Sequence, residues 1–250
     1  MAAKPIKRES SAGVKSDCRG ECSWLFANLD VKTLTDFRAM SKTIEYEKGE
    51  IVFQEGEPAF GFYIICQGQA KLAKRSPDGK VQILKLLGEG EILGEKTMFD
   101  RETYGAYAKT LSKARLHFIE REPFMRFLER HPSVAIKFIE KLSRELKGFE
   151  DKLVETAYKG STERLARLLL MMSREYGVEE PSGLYIGVEL SRAELAELAG
   201  ISTETAIRTL SRFKERGFIA LEGSKIYILD KESLGNLAEP FAVTLKENLL

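Results

Sequence analysis

The sequence predicts an α+β fold with an N-terminal β-roll of jelly-roll type, a long helix and a C-terminal winged helix-turn-helix. Short apolar segments with frequent glycines occupy residues 44–118, a helical apolar pattern starts at residue 132, and two capped helices and a hairpin lie within residues 190–229. The expected segments are a flexible arm at 1–22, the β-roll at 23–131, the long helix at 132–158, the winged helix-turn-helix at 160–234 and a tail at 235–250.

The β-roll is predicted from short runs of strand-forming residues separated by glycines. The runs include IVFQ, FYIIC, QAKLAKR and VQILKLL, and Asp78-Gly79 between the last two is typical of a tight hairpin turn. Many short strands of this kind are typical of a jelly roll or barrel, which either encloses a small ligand or has a filled core.

Residues 179–183, much further along the chain, are expected to form a surface loop.

The helix predicted from residue 132 has apolar residues at alternating spacings of three and four, the pattern of a coiled-coil seam. Because charged residues flank Leu146 and Phe149, the apolar strip is narrow and suits a single partner helix. The sequence therefore predicts a homodimer with two-fold symmetry. The alternative is that the strip packs on the β-roll of its own chain. The seam residues are Ile139, Leu142, Leu146, Phe149 and Leu153.

Strong local signals predict the helix-turn-helix. Ser191 and Glu194 form a capping box at the start of the first helix, and Gly200 ends it with a sharp turn. Ser202 suits the N-cap of a second helix, and Gly217 suits the residue after its end. A hairpin over residues 218–229 would form the wing.

The second helix has an apolar side and a polar side, and the polar side carries Glu204 and Arg208 one turn apart. Arginine can donate two hydrogen bonds to guanine, and glutamate can accept one from cytosine. This pairing predicts that the helix enters the major groove of double-stranded DNA. The alternative is an ordinary surface ion pair between the two side chains. The hydroxyl residues available for phosphate contacts are Ser202, Thr203 and Thr205.

Composition is ordinary for a soluble protein, with 43 % hydrophobic residues, 31 % charged residues and a net charge of +1. The absence of a long apolar run or a signal core predicts a cytoplasmic protein with no membrane partner. We find no glycine-rich phosphate loop, metal motif or nucleophile–base pair in the sequence, so neither an enzyme nor a metal site is expected. Basic residues concentrate in the helix-turn-helix at Arg192, Arg208, Arg212, Lys214 and Arg216.

The cysteines and histidines give only weak indications of a cofactor. Cys18 and Cys22 are a candidate redox pair in the arm, with inert thiols as the alternative, and Cys66 is expected in the core. An iron–sulfur cluster needs four ligands, and three cysteines do not supply them. Haem ligation by His117 or His131 is a further, less favoured alternative to a structural role.

The order of these motifs along the chain resembles that of the CRP/FNR family of bacterial transcription regulators. The resemblance rests on three stretches, GEIVFQEGE with FYIICQG at 49–68, LLGEGEILGE at 86–95 and STETAIR at 202–208. It implies a dimeric regulator that binds a palindromic DNA site, responds to a small-molecule or redox signal through the β-roll, and contacts RNA polymerase if it activates transcription. The alternative is a cyclic-nucleotide-sensing subunit that acts on a protein partner, which would have no need of a winged helix.

The resemblance also implies roles for individual residues of the helix-turn-helix. Glu204 and Arg208 match the pair that recognises bases, and together they imply a G·C pair in the half-site. The positions that match phosphate contacts are Arg192, Ser202 and Thr205. The positions that vary among members, and would tune the half-site, are Thr203 and Ile207.

For the effector, the resemblance implies a pocket that departs from the family pattern. Members that bind cyclic AMP carry Gly-Glu for the ribose and Arg-Ser for the cyclic phosphate. Gly94-Glu95 is present, but the Arg-Ser position falls at Tyr104-Gly105 or Gly105-Ala106. A buried phosphate without a cation or donor is costly, so cyclic AMP is not expected to bind in the usual way. The alternative is that Lys96, Arg101 or Lys109 supplies the cation in place of the arginine. Gly94-Glu95 would then be a structural turn. The candidate pocket residues are Gly94, Glu95, Tyr104 and Phe149, and the effector remains unidentified.

Overall fold

The computed structural model describes residues 30–100 and 103–239. The candidate redox residues Cys18 and Cys22, the predicted arm and most of the predicted tail lie outside these ranges. The chain divides into two compact units between Leu146 and Lys147. Within the described ranges, no helix is both long and apolar enough to cross a membrane.

The first unit contains the predicted β-roll. Its strands are β1 (Ser41–Tyr46), β2 (Ile51–Phe53), β3 (Gly61–Gln67), β4 (Ala70–Arg75), β5 (Val81–Leu87), β6 (Ile92–Leu93), β7 (Tyr107–Thr110) and β8 (Ala114–Glu120). They form two antiparallel sheets with the orders β1-β8-β3-β6 and β2-β7-β4-β5. The β4–β5 turn has Gly79 at φ +83°, a conformation that favours glycine, as Asp78-Gly79 predicted.

Two apolar clusters hold this unit together. One fills the roll and includes Phe53, Ile65, Leu93 and Leu116. The other packs three helices against β3, and these are α1 (Val31–Ala39), α3 (Arg121–Arg130) and the first turns of α4 (Pro132–Tyr158). Its aromatic side chains are Phe37, Phe62, Phe124, Phe127 and Phe138. A short helix, α2 (Thr97–Asp100), follows β6.

Helix α4 has one buried side and one exposed apolar side. Val134, Phe138 and Lys141 are buried. On the predicted seam, Ile139 is 63 % exposed and Leu146 is 61 % exposed. Within the first unit, Ile139 and Leu146 therefore leave most of their surface uncovered by the β-roll of their own chain. Further along the seam, Leu153 is also largely exposed.

The second unit contains the predicted winged helix-turn-helix. After α5 (Ser161–Tyr176) come β9 (Gly177–Glu180), β10 (Gly183–Ile186), α6 (Arg192–Ala199), α7 (Thr203–Glu215), β11 (Ile219–Glu222), β12 (Lys225–Ile228) and α8 (Lys231–Ala238). The strands form one antiparallel sheet with the order β11-β12-β10-β9. The predicted α+β class, with its β-roll, long helix and winged helix-turn-helix, is confirmed.

Two segments of this unit differ from the sequence-based expectation. The predicted loop at 179–183 is shorter than expected: only Pro181 and Ser182 form an exposed turn, because β9 and β10 pair on either side of it as a hairpin. Leu184 and Ile186 of β10 bury their side chains. Helix α8 crosses the expected start of the tail at residue 235. It is held by the buried Leu234 and by a 2.8 Å hydrogen bond from Lys159 Nζ to the carbonyl of Ala238.

Candidate nucleic-acid interface and β-roll interior

The helix-turn-helix is shaped by its helix ends. Ser191 Oγ accepts a hydrogen bond from the Glu194 backbone N–H at 3.1 Å, and Glu194 Oε2 accepts one from the Ser191 backbone N–H at 2.9 Å. Gly200 then takes a left-handed conformation with φ +65°. Ser202 Oγ accepts from the Thr205 backbone N–H at 3.2 Å and caps α7. The predicted caps are confirmed, and they fix the angle at which α7 leaves the turn.

Helix α7 presents Glu204 and Arg208 to solvent while Ala206, Leu210 and Phe213 are buried. Hydrogen bonds from its own backbone N–H and from the Ser202 hydroxyl lower the pKa of the Glu204 carboxyl, so this side chain is ionised. Both side chains are therefore placed to interact with a partner molecule.

The first turn of α7 brings the predicted phosphate-contacting hydroxyls together. Ser202 and Thr203 are exposed, and Thr205 is half-buried. The helix dipole and these hydroxyl groups make such an N-terminus favourable for an anion.

Arg192 has a structural contact that the sequence did not reveal. Its Nη2 donates a hydrogen bond at 3.0 Å to the carbonyl of Gly223, in the turn between β11 and β12. Ser224, the next residue of that turn, donates to Glu189 Oε2 at 3.3 Å. Burial lowers the pKa of the Arg192 guanidinium, which stays charged because the unperturbed value is so high. Arg192 thus joins the start of α6 to the wing turn.

In the β-roll, the predicted pocket residues Gly94 and Tyr104 lie against each other. Gly94 has φ +80°, and a Cβ atom there would lie 2.7 Å from Tyr104 Cε1. The Tyr104 ring stacks on Phe53, and its hydroxyl donates to the carbonyl of Gly61 at 2.8 Å. Tyr104 is 5 % exposed, and burial raises the pKa of its hydroxyl. These residues form a packed interior.

Glu95 belongs to a partly buried ion network, which we define as Glu95, Lys141, Glu145, Lys85 and Glu91. Lys141 Nζ lies 3.6 Å from Glu95 Oε1 and also pairs with Glu145, while Lys85 Nζ lies 3.0 Å from both Glu145 and Glu91. Burial raises the pKa of Glu95, with Lys141 opposing the shift. For Glu145, burial is outweighed by Lys141 and Lys85, which lower its pKa to about 2. The network fixes the β-roll to the first half of α4.

The remaining cofactor candidates have structural contacts. His117 Nδ1 lies 3.0 Å from the hydroxyl of Thr43, and burial lowers its pKa. His131 caps the end of α3 and lies against the ring of Phe127. Cys66 is buried in β3. Phe149 lies on the part of α4 that belongs to the second unit. Over residues 30–100 and 103–239, no group of three or more His, Cys, Asp or Glu side chains is arranged to hold a metal ion.

Two family models match the two units. The cyclic nucleotide-binding domain model matches residues 43–131, and the Crp-like helix-turn-helix domain model matches residues 163–237. The chain belongs to the CRP/FNR family of transcription regulators. Its β-roll and its winged helix-turn-helix are therefore the cyclic-nucleotide-binding-like and DNA-binding domains of that family.

Relatives in the CRP/FNR family match nearly their whole length. A CRP-like cAMP-activated global transcriptional regulator of Mycobacterium tuberculosis is 28 % identical over 214 residues, which cover 86 % of this chain and 96 % of the relative. The nitrogen fixation regulation protein FixK of Bradyrhizobium diazoefficiens is 27 % identical over 223 residues, covering 89 % and 93 %. The structure of the c-di-GMP responsive global regulator CLP of Xanthomonas campestris aligns with a TM-score of 0.72 and 26 % identity, covering 80 % of this chain and 99 % of CLP. One relative is named for cAMP and another for c-di-GMP. Membership of the CRP/FNR family therefore leaves the effector open.

Proposed function

We propose that the protein is a homodimeric, sequence-specific regulator that binds a palindromic DNA site with two copies of α7. The observation that carries this proposal is the exposed pair Glu204 and Arg208 on a capped helix whose opposite side is buried. The winged helix-turn-helix favours this function over a regulatory subunit that acts on a protein partner. A regulator of bacterial DNA works in the cytoplasm, and RNA polymerase is a further partner if the protein activates transcription.

The chemistry of the pair specifies part of the half-site. The Arg208 guanidinium can donate two hydrogen bonds to the O6 and N7 atoms of guanine, and the ionised Glu204 can accept from a cytosine amino group. The α7 N-terminus, with Ser202 and Thr205, would hold a phosphate and fix the helix in register. A G·C pair contacted by both side chains is the expected centre of recognition.

The exposed side of α4 supports the dimer. Ile139, Leu146 and Leu153 leave large apolar surfaces in water, and each side chain, already about a third buried, would gain about 1–2 kcal/mol on full burial against a partner helix. A two-fold dimer would place both copies of α7 on one face of DNA, about 34 Å apart. The two half-sites would then be bound together, and the palindrome would mirror the symmetry of the protein.

The β-roll interior supports a signal other than cyclic AMP bound in the usual way. The position that matches the phosphate-binding arginine is Tyr104 or Gly105, and neither residue carries a cation; the buried ring of Tyr104 packs on Phe53. Glu95, which would face the ribose, is instead paired with Lys141. The proposed signal is a different small molecule or a redox change.

Selection of DNA from a random-sequence pool by the full-length protein tests this function. We expect one palindromic sequence to be enriched, and Arg208→Ala to bind it at least about tenfold more weakly than the wild type. Arg208→Lys is the matched control, because it keeps the charge and the salt dependence but loses the two-point contact with guanine. Binding of the enriched site by both variants as tightly as by the wild type would overturn the recognition role.

A further inference from the structure

Polar contacts tie the end of α8 to the last turns of α4 and to α5. Lys159 Nζ donates its 2.8 Å hydrogen bond to the carbonyl of Ala238, and Arg167 Nη1 lies 3.6 Å from Glu239 Oε1. Arg167 Nε also lies 3.2 Å from Glu155 Oε2 in α4. The chain therefore continues beyond Glu239 from a point beside the end of α4.

Two large apolar side chains of α4, which we call the α4 apolar pair, are exposed close to this point. They are Tyr158, which is 84 % exposed, and Val154, which is 58 % exposed. Residues three and four apart are neighbours on a helix surface, so Tyr158 lies next to both Val154 and Glu155. Around the helix axis, Val154 and Tyr158 lie about 100° and about 140° from Leu153 of the proposed dimer seam. A partner helix along that seam would leave much of the pair uncovered.

The sequence continues beyond Glu239 with PFAVTLKENLL, which we call the 240–250 segment. Pro240 disfavours a helical conformation at the residue before it, and Glu239 has φ −134° and ψ 65°, so the chain turns away from the axis of α8. Along α4, the rise from Lys159 back to Val154 is about 7.5 Å, and eleven residues span about 16 Å even as a helix. The segment is therefore long enough to cover the pair. Its large apolar residues are Phe241, Val243, Leu245, Leu249 and Leu250.

We propose that the 240–250 segment docks on the α4 apolar pair of its own chain. Burial of apolar side chains on both surfaces drives the contact. Because the segment starts beside the pair, its effective concentration there is on the order of millimolar, which favours it over the same segment of another molecule. The docked segment would hold the end of α8 against α4, in addition to the contacts of Lys159 and Arg167. This contact involves neither α7 nor DNA, so it is independent of the proposed function.

Photo-crosslinking in the full-length protein tests this contact. With p-benzoylphenylalanine in place of Tyr158, we expect illumination to join position 158 to a peptide from residues 240–250, in a product with the mass of one chain. The same replacement of Val31 is the control, because Val31 is 80 % exposed in the other unit and should not capture this peptide. No capture of the 240–250 peptide from position 158, capture only between two chains, or equal capture from both positions would overturn the proposal.

Digestion of the folded protein by a lysine-specific protease measures how firmly the segment is held. Lys246 is the only lysine of the segment, and cleavage after it removes four residues from the mass of the protein. Because cleavage requires the segment to detach, we expect the double variant Val154→Ser, Tyr158→Ser to be cut about tenfold faster than the wild type. Val31→Ser is the matched control and should be cut at the wild-type rate.

Equal cleavage rates for the double variant and the wild type would overturn the proposal, as would an equal acceleration in Val31→Ser. All the substituted side chains are largely exposed, so the circular dichroism spectra of the variants should match that of the wild type. Matching spectra separate release of the segment from unfolding of the chain.

Discussion

The ring of Tyr104 stacks on the ring of Phe53 with 3.9 Å between their centroids and 15° between their planes. Gly94 lies at the edge of the same ring, close enough that no side chain fits between them. A phosphate would need a cation or several donors here, and an aromatic face supplies neither. This part of the β-roll is therefore organised for packing.

Cyclic AMP at millimolar concentration is expected to leave the melting temperature of the protein unchanged. A ligand that binds the folded state raises that temperature by mass action, and the buried Tyr104 supplies no cation for the cyclic phosphate. Thermal denaturation and isothermal titration calorimetry measure this directly. A saturable rise in melting temperature, or a saturable heat of binding, would contradict the prediction.

Gly94→Ala is expected to lower the free energy of unfolding by about 3 kcal/mol. The new Cβ atom would meet the Tyr104 ring, and the residue would have to keep φ +80°, which strains any side chain. Urea denaturation measures the change. Gly105→Ala is the control, because a Cβ atom there meets nothing within 4 Å, and the expected change is within about 0.5 kcal/mol. Equal effects of the two substitutions would show that the contact with Tyr104 does not matter.

Glu145→Gln is expected to lower the free energy of unfolding at neutral pH by about 2 kcal/mol. It should also make the free energy of unfolding fall less steeply as the pH is lowered. The folded-state pKa of Glu145 is about 2 against an ordinary value of 4.5, so between these values the folded chain binds fewer protons than the unfolded chain. The stabilisation by Glu145 is therefore complete above about pH 4.5 and is lost as the pH falls towards 2.

Urea denaturation of Glu145→Gln between acid and neutral pH gives the comparison with the wild type. Glu140→Gln on the exposed side of the same helix is the control and should follow the wild type at every pH. The prediction fails if both variants lose stability in acid as steeply as the wild type does.

Leu146→Glu is expected to convert the proposed dimer into a monomer. The substitution places a charge at an exposed seam position, where two copies would bring the like charges together. Sedimentation velocity measures the mass, and Arg144→Glu, a change of charge away from the seam, should remain dimeric. A Leu146→Glu variant that sediments as a dimer would show that the interface lies elsewhere. If it is monomeric, its affinity for the palindrome should fall because the two half-sites are no longer bound together.

The sequence predicted the helix-turn-helix well because its signals are local. The capping box at Ser191 and the left-handed turn at Gly200 depend on neighbouring residues alone. The packing of the β-roll interior could not be predicted, because it depends on contacts such as Phe53 with Tyr104, which lie far apart in the chain. The hairpin at β9 and β10 was missed because prolines and acidic residues are typical of loops, although the alternation of Leu184 and Ile186 in β10 was visible.

The hydrogen bond from Arg192 to the Gly223 carbonyl complicates the interpretation of alanine substitutions in the helix-turn-helix. Arg192→Ala would take away a positive charge and, in the same step, release the tip of the hairpin from the first helix of the motif. The measured loss of affinity would then combine electrostatic and mechanical contributions. Arg192→Gln also removes the charge but keeps a shorter hydrogen-bond donor, so a difference between the two variants that is independent of salt would report the mechanical contribution.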